Sequence, residues 1–152
     1  MMICEAASEC KNLKKLNVDF TTNNLSKGST SSLHPKLSSN SLLFLKFGLD
    51  ETNTSHHIIT SLISCLPHIP KLHTLVLNLS GISPHFDVST MQPLINAKLH
   101  SVSIACPGLA FKSALGLYLS LPGLAKTSKR LKIDLSGIRD VDEGIVRDAV
   151  SE

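Results

Sequence analysis

The feature that most constrains the fold is a pattern of aliphatic residues that recurs along the whole chain. In each copy, apolar side chains take positions four and six, and position one is Leu in all but the last copy. The copies start 27 to 30 residues apart, near positions 13, 42, 72, 99 and 128. The segments LVLNLSGI (75–82) and LKIDLSGI (131–138) align residue for residue. Five copies at a nearly fixed interval predict a repeat array, in which neighbouring units share one continuous core.

The array predicts a single domain that spans residues 1–152. Residues 1–12 are interpreted as a partial helix or a cap that leads into the first copy. Repeat arrays need polar terminal units, and neither end of this sequence shows one. We therefore expect the chain to be a piece of a longer protein.

The hydrophobic period alternates between two values along the array. Within each copy, apolar and polar residues alternate as they do from Leu75 to Leu79, which predicts a strand with one buried face. Between copies the spacing is helical, with one stripe from Ile58 to Leu66 that ends before Pro67, and a shorter one within 90–97. A further helix, closed by Pro122, is predicted from a stripe of five residues: Phe111, Ala114, Leu115, Tyr118 and Leu119.

Two further segments complete the prediction of the fold. A last helix is expected from Asp140 onward, and the serine-rich residues 26–41 are expected to form a mobile loop or a single helical turn. Strands that alternate with helices form parallel sheets, because each helix carries the chain back to the start of the next strand. The predicted fold class is therefore α/β, with a curved parallel sheet and helices on its outer side.

The motif LxxLxLxx(N/S)x(L/I) at this spacing resembles the leucine-rich repeat, in its long, ribonuclease-inhibitor-like subclass. The resemblance extends from Leu13 to the C-terminus and implies a solenoid of about five repeats, with the sheet on the concave side. It also implies Asn at position nine. This chain instead carries Thr21, Asp50, Ser80, Pro107 and Ser136 there. Because Pro107 has no N–H to donate, we expect the fourth turn to be irregular.

Two segments make the resemblance more specific, because they point to one group of leucine-rich-repeat proteins. The junction CLPHIPKLHTL (65–75) and the terminal DEGIVRDAV (142–150) are similar to the C-terminal arrays of nucleotide-binding leucine-rich-repeat receptors of innate immunity. In such receptors the array senses a ligand or holds the nucleotide-binding module inactive. The resemblance thus implies a non-enzymatic recognition or autoinhibitory array, which binds a protein partner and no nucleotide of its own.

Leucine-rich arrays also serve other classes of protein, which leaves two alternatives open. A substrate-recruiting adaptor of a ubiquitin ligase would need a docking helix outside the array, and residues 1–12 are too short to supply one. An inhibitor that wraps an enzyme would normally use more repeats and a strongly charged face.

The alternation also predicts which side chains are open to a partner. If positions four, six and eight point to the core, positions three, five and seven point to the concave face. That face is basic at both ends and small in the middle, which suits an acidic or mixed protein partner with Phe44 as an aromatic anchor. The alternative is a face that is merely solvated. The candidate partner-binding residues are Lys15, Asn17, Asp19, Phe44, Lys46, Thr74, Val76, Asn78, Ser101, Ser103, Arg130, Lys132 and Asp134.

Composition and charge exclude several classes of partner. Hydrophobic residues make up 42% of the chain and charged residues 18%, so the chain can bury a core. A net charge of +3 is too mild to indicate nucleic acid as a partner. No apolar run approaches the ~18 residues of a membrane span, and no secretory signal precedes the array. We therefore expect a cytoplasmic chain with neither a membrane nor a nucleic-acid partner.

Motifs that carry chemistry are weak in this sequence. The four cysteines show no CxxC pair, and Cys10, Cys65 and Cys106 occupy positions that predict burial in a reducing compartment. His73 and His100 share position two of adjacent copies, but a metal ion would need a third ligand. Neither a phosphate loop nor a nucleophile elbow is present. We therefore expect no metal, no cofactor and no enzymatic activity.

Overall fold

Each of the five aligned segments of the sequence forms one short β-strand. A computed structural model describes residues 2–19, 37–49, 55–80 and 88–138 of the chain. The strands form a single parallel sheet in which their order follows the sequence. They are β1 (Lys15–Asp19), β2 (Phe44–Gly48), β3 (Thr74–Asn78), β4 (Ser101–Ala105) and β5 (Arg130–Asp134).

Helical segments lie between β2 and β3, between β3 and β4 and between β4 and β5, whereas the described part of the connection before β2, residues 37–43, contains none. Helix α1 (Met2–Glu9) leads into β1, and α4 (Phe111–Thr127) joins β4 to β5. The chain is therefore a mixed α/β fold with an all-parallel sheet, as the sequence pattern predicts. The other helical segments are α2 (Ser55–Ser64), the 3₁₀ turns Leu66–His68 and Val88–Met91, and α3 (Gln92–Asn96).

The strands pair in one register throughout the sheet. Residues at position three of the five copies are successive partners: Lys15, Phe44, Thr74, Ser101 and Arg130. Just before the strands, the backbone carbonyls at position two of the first four copies each accept two N–H groups from the next copy, at 2.9–3.0 Å. A shift by one residue would turn every side chain to the opposite face, so these bonds fix which face is buried.

The core lies on the side of the sheet formed by positions four and six. In the three central strands these side chains are each at most 1% exposed: Leu45, Phe47, Leu75, Leu77, Val102 and Ile104. In the outer strands Leu16, Leu131 and Ile133 are only half-buried, although they pack against the same core. Full burial of one such side chain contributes roughly 1.5–3 kcal/mol. The predicted alternation between a buried and an open face is confirmed.

Helices α2 and α3 follow the predicted stripes. The aliphatic residues of α2 and of the 3₁₀ turn after it are all buried: Ile58, Ile59, Leu62, Ile63 and Leu66. Pro67 lies within that 3₁₀ turn, at its start, where a missing N–H breaks no helical hydrogen bond. Before β4, Met91 and Leu94 are buried and Ile95 is half-buried.

Helix α4 departs from the prediction in both length and phase. The helix continues through Pro122 to Thr127, so this proline does not close it. In the predicted stripe only Ala114 is buried, whereas Leu115, Tyr118 and Leu119 are 41%, 63% and 68% exposed. A different stripe of α4 packs against the core. Because this stripe extends beyond Pro122, its contacts hold the last turns of the helix in place. Its buried members are Ser113, Ala114, Leu117 and Leu124.

The turns after β4 and β5 share one conformation. Gly108 and Gly137, which are equivalent in the two copies, both have positive φ, at 76° and 66°. The N–H of Gly108 donates to the carbonyl of Ser136 at 2.9 Å. Since this bond comes from position ten, the turn does not need an N–H at position nine. Pro107 therefore does not make the fourth turn irregular, contrary to the prediction.

Several predictions concern residues outside the described segments. The helix expected from Asp140, and position nine of the first two copies, lie there. The loop expected over 26–41 is described only from residue 37. In that part Leu37 is buried, and the Ser39 hydroxyl accepts the backbone N–H groups of Ser41 and Leu42 at 3.3 and 3.2 Å. These bonds guide the chain into β2.

Candidate functional site

The face of the sheet opposite the core carries the residues predicted to bind a partner. Positions three, five and seven of the five strands lie there, and we call this set of residues the open face. The thirteen candidates all belong to it, together with Gly48 and Ala105. The side chains of the thirteen candidates are exposed in β1 and β5 and half-buried in β2, β3 and β4, and Gly48 is buried. The sheet therefore brings together every residue of the predicted set.

Positive charge on the open face lies toward the amino ends of the strands. Lys15 and Arg130 occupy position three of the two outer strands, and Lys46 and Lys132 occupy position five. Because neighbouring strands lie about 4.8 Å apart, Lys15 and Arg130 are separated by roughly 19 Å across the sheet. Between them the centre is small and neutral.

Two residues at position seven form hydrogen bonds with the turn that follows their own strand. The Asp134 carboxylate accepts the backbone N–H of Ser136 at 3.0 Å, and the side-chain oxygen of Asn78 accepts the hydroxyl of Ser80. Hydrogen bonds from Ser136 lower the pKa of Asp134, partial desolvation opposes them, and the charge of Lys132 lowers the pKa further. The alternation along the strands predicts both residues as contacts for the partner. The hydroxyl at position nine was the signal for this local role.

Two histidines stack at the amino ends of β3 and β4. The ring centroids of His73 and His100 lie 4.2 Å apart, with the ring planes 20° from parallel. The register causes this contact, because the His73 carbonyl accepts the N–H groups of His100 and Ser101, both at 3.0 Å. Partial desolvation lowers the pKa of His100, and the positive charges of His73, Lys129 and Arg130 lower it further. The uncharged form of this imidazole is thus favoured.

The histidine pair lacks the partners of a metal site. Within the four described segments, no three His, Cys, Asp or Glu side chains lie close enough to hold an ion. The same position in the other copies holds Lys14, Leu43 and Lys129. The two lysines repel a metal cation and attract an anion, and Leu43 has no side-chain atom that could bind either.

Two of the three cysteines whose side chains the structure describes are buried. Cys65 and Cys106 are buried as predicted, but Cys10 is exposed, because α1 ends at Glu9 and the helical stripe does not extend to it. Burial raises the pKa of the Cys106 thiol to about 12, and the charge of Asp134 raises it as well. A thiol that is so little ionised near neutral pH is a poor nucleophile.

Comparison with models of protein families, with curated proteins and with solved structures gives no match for this chain. Among the described helices, none is long and apolar enough to cross a membrane. What the chain does must therefore be inferred from its own residues.

Proposed function

We propose that the chain is a leucine-rich-repeat solenoid whose open face binds a protein partner and catalyses no reaction. The spacing of the repeat supports this proposal, since residues at equivalent positions of five copies pair in one register. The contrast between the faces supports it as well. One face of the sheet buries aliphatic side chains, and the other presents polar and small ones. Curvature of such a sheet would make the open face concave.

The distribution of charge on the open face supports a proposal for the kind of partner that binds there. Four cations occupy positions three and five, whereas Val76 and Ser103 leave a low, neutral centre between them. Phe44 is half-buried beside this centre and offers an aromatic contact. A protein surface that is acidic at its margins and mixed at its centre fits this arrangement. Charges placed in this way guide the approach and the orientation of the partner.

A paired charge reversal tests the open face. Peptide ligands selected from a phage-displayed random library are titrated against the native chain and against Lys46→Glu combined with Lys132→Glu. We expect this variant to bind at least about tenfold more weakly, because attraction becomes repulsion at two places on the face. The matched control is Lys112→Glu combined with Lys126→Glu, two exposed positions on α4.

The control distinguishes a local effect on the open face from an effect of the net charge of the chain. Both double variants change the net charge equally, so only a ligand on the open face distinguishes them. Calorimetric titration gives the Kd of each. An equal loss in both variants, or no loss in the first, would place the ligand elsewhere and contradict the proposal.

Within this role, we propose that the chain is the recognition array of a cytoplasmic nucleotide-binding receptor of innate immunity. The similarity of the junction at 65–75 supports this narrower proposal. Sequencing the transcript upstream of Met1 tests it. We expect an open reading frame that encodes a phosphate-loop module, and a stop codon directly before Met1 would contradict it.

A further inference from the structure

The amino ends of the strands combine cations and imidazoles along one line. Positions two to five of the five copies contain no acidic residue. On the open face, Asp19 and Asp134 lie roughly 13 Å further along their strands than position three. We call six residues at the amino ends the amino edge: Lys14, Lys15, His73, His100, Lys129 and Arg130.

The spacing along the amino edge restricts what can bind there. The pair Lys14 and Lys15 lies four strands away from the pair Lys129 and Arg130, which is roughly 19 Å. An extended peptide advances about 3.3 Å per residue, so its charges must be about six residues apart to meet both pairs. Between the pairs, His73 is exposed and His100 is half-buried, so a peptide that connects them must cross the imidazole stack.

The histidine stack makes the middle of the amino edge responsive to protons. Lys129 and Arg130 flank it from the β5 side, Lys71 and Lys98 precede the two histidines by two residues, and Leu43 on the β2 side is uncharged. The charges of His73, Lys129 and Arg130 oppose protonation of the His100 ring. A carboxylate pair bound at Lys129 and Arg130 lies one strand, about 4.8 Å, from His100, so it would offset that repulsion and raise the pKa of this imidazole. Binding would therefore take up protons. By linkage, affinity must then rise as the pH falls.

We propose that the amino edge binds an extended acidic segment of a protein, with two pairs of carboxylates about six residues apart, and binds it more tightly in mildly acidic solution. The inference rests on the proposed function, since it names the chemistry of a partner for the amino end of the open face. Lys15 and Arg130 belong to that face, and the other four residues directly precede it in their copies. The distance between the two basic pairs and the stacked imidazoles distinguish this edge from scattered surface lysines, which would attract any polyanion.

Two labelled peptides of identical composition test the spacing. EEGSGSEE carries its glutamate pairs six residues apart, whereas GSEEEEGS concentrates the same charge in the middle and cannot reach both basic pairs. Binding is measured by fluorescence anisotropy at about 0.05 M salt, where the screening length exceeds ~10 Å. We expect the spaced peptide to bind at least about fivefold tighter than the clustered one at pH 7.5. We expect it to bind about tenfold tighter at pH 5.5 than at pH 7.5.

Replacement of the histidines tests the proton dependence. His73→Gln combined with His100→Gln should bind the spaced peptide normally at pH 7.5 and lose the gain at pH 5.5. Circular dichroism checks the fold, and His100→Asn alone, expected to lose most of the gain, serves if the double variant unfolds. Equal affinity for the two peptides, no gain at pH 5.5, or a gain that survives the replacement would overturn the inference. Tighter binding of an oligothymidine of eight nucleotides would overturn it as well.

The outcomes separate this inference from the proposed function. The two glutamate peptides could show none of the expected binding while the affinity of a selected ligand still falls when Lys46 and Lys132 are reversed. In that case the open face remains the proposed protein-binding surface, and only the acidic partner is rejected. If the selected ligands are insensitive to that reversal, the proposed function fails whatever the peptides do.

Discussion

Single residues at the carboxyl ends of the strands serve the backbone more than they serve a partner. Asp134 and Asn78 each direct a side-chain oxygen into the turn that follows their own strand. A partner that recruited these oxygens would have to share them with a local hydrogen bond. The lysines and the arginine of the open face are therefore better candidates for contact, and the position-seven residues contribute mainly to the turns.

Replacement of Asp134 by Asn should remove an acid-sensitive part of the stability. The pKa of Asp134 in the folded chain lies below its ordinary value of 3.8, mainly because Ser136 binds the ionised form. A carboxyl with a lowered folded pKa stabilises the fold above its unfolded pKa, and this contribution is lost as the pH falls through the folded value. Between about pH 5 and pH 2, the native chain should therefore lose more stability than Asp134→Asn.

Urea unfolding at each pH measures this difference. The side-chain oxygen of Asn can still accept the N–H of Ser136, so the variant should fold normally at neutral pH. If the two chains lose stability in parallel on acidification, the bond from Ser136 does not favour the ionised carboxyl.

At the scale of elements, the strands follow from the sequence more directly than the helix faces do. A strand alternates strictly, so the apolar residues of β3 leave one choice of buried side. Helix α4 has apolar residues at 115, 117, 119, 121 and 124, which form two stripes. Local spacing cannot choose between the stripes, because the choice is made by contact with the core. Long-range contact likewise leaves the Leu-Pro at 121–122 inside a helix and the Leu-Pro at 66–67 in a 3₁₀ turn.

Two leucines of α4 provide a matched test of its phase. Leu117 is 1% exposed and Leu119 is 68% exposed, although only one residue separates them in sequence. Leu117→Ala should lower the free energy of unfolding by about 2–5 kcal/mol, because it leaves a cavity in the core. Leu119→Ala should change it by less than about 0.5 kcal/mol, as surface substitutions do. Urea unfolding measures both, and a larger cost for Leu119→Ala would mean that the helix packs on its other stripe.

At the scale of the molecule, the register of the sheet is the link between sequence and candidate site. Numbering each copy from its first position already placed Lys15 in line with Arg130, and His73 next to His100. The numbering did not indicate that Asp134 is engaged by Ser136, since that contact depends on the path of the turn. Each described strand pairs only with its neighbours in sequence, so no strand pairing joins the two ends of the open face directly.

This linear order predicts that damage at one end of the sheet stays local. In a repeat array, each unit is stabilised by its own contacts and by its nearest neighbours. Leu131 lies half-buried in the outer strand β5, whereas Leu77 lies fully buried in the central strand β3. Leu131→Ala should therefore accelerate amide hydrogen exchange in β5 and β4 and leave β1 and β2 unchanged. Leu77→Ala should accelerate it in strands on both sides of β3.

Hydrogen exchange followed by mass spectrometry of peptic fragments resolves the strands. The two substitutions remove the same atoms, so the comparison depends on position in the sheet and on burial. Exchange that rises equally in all five strands of Leu131→Ala would mean that the sheet opens as one cooperative unit. The chain would then behave as a single globular domain, and the proposed solenoid would lose its physical basis, since an array opens from its ends.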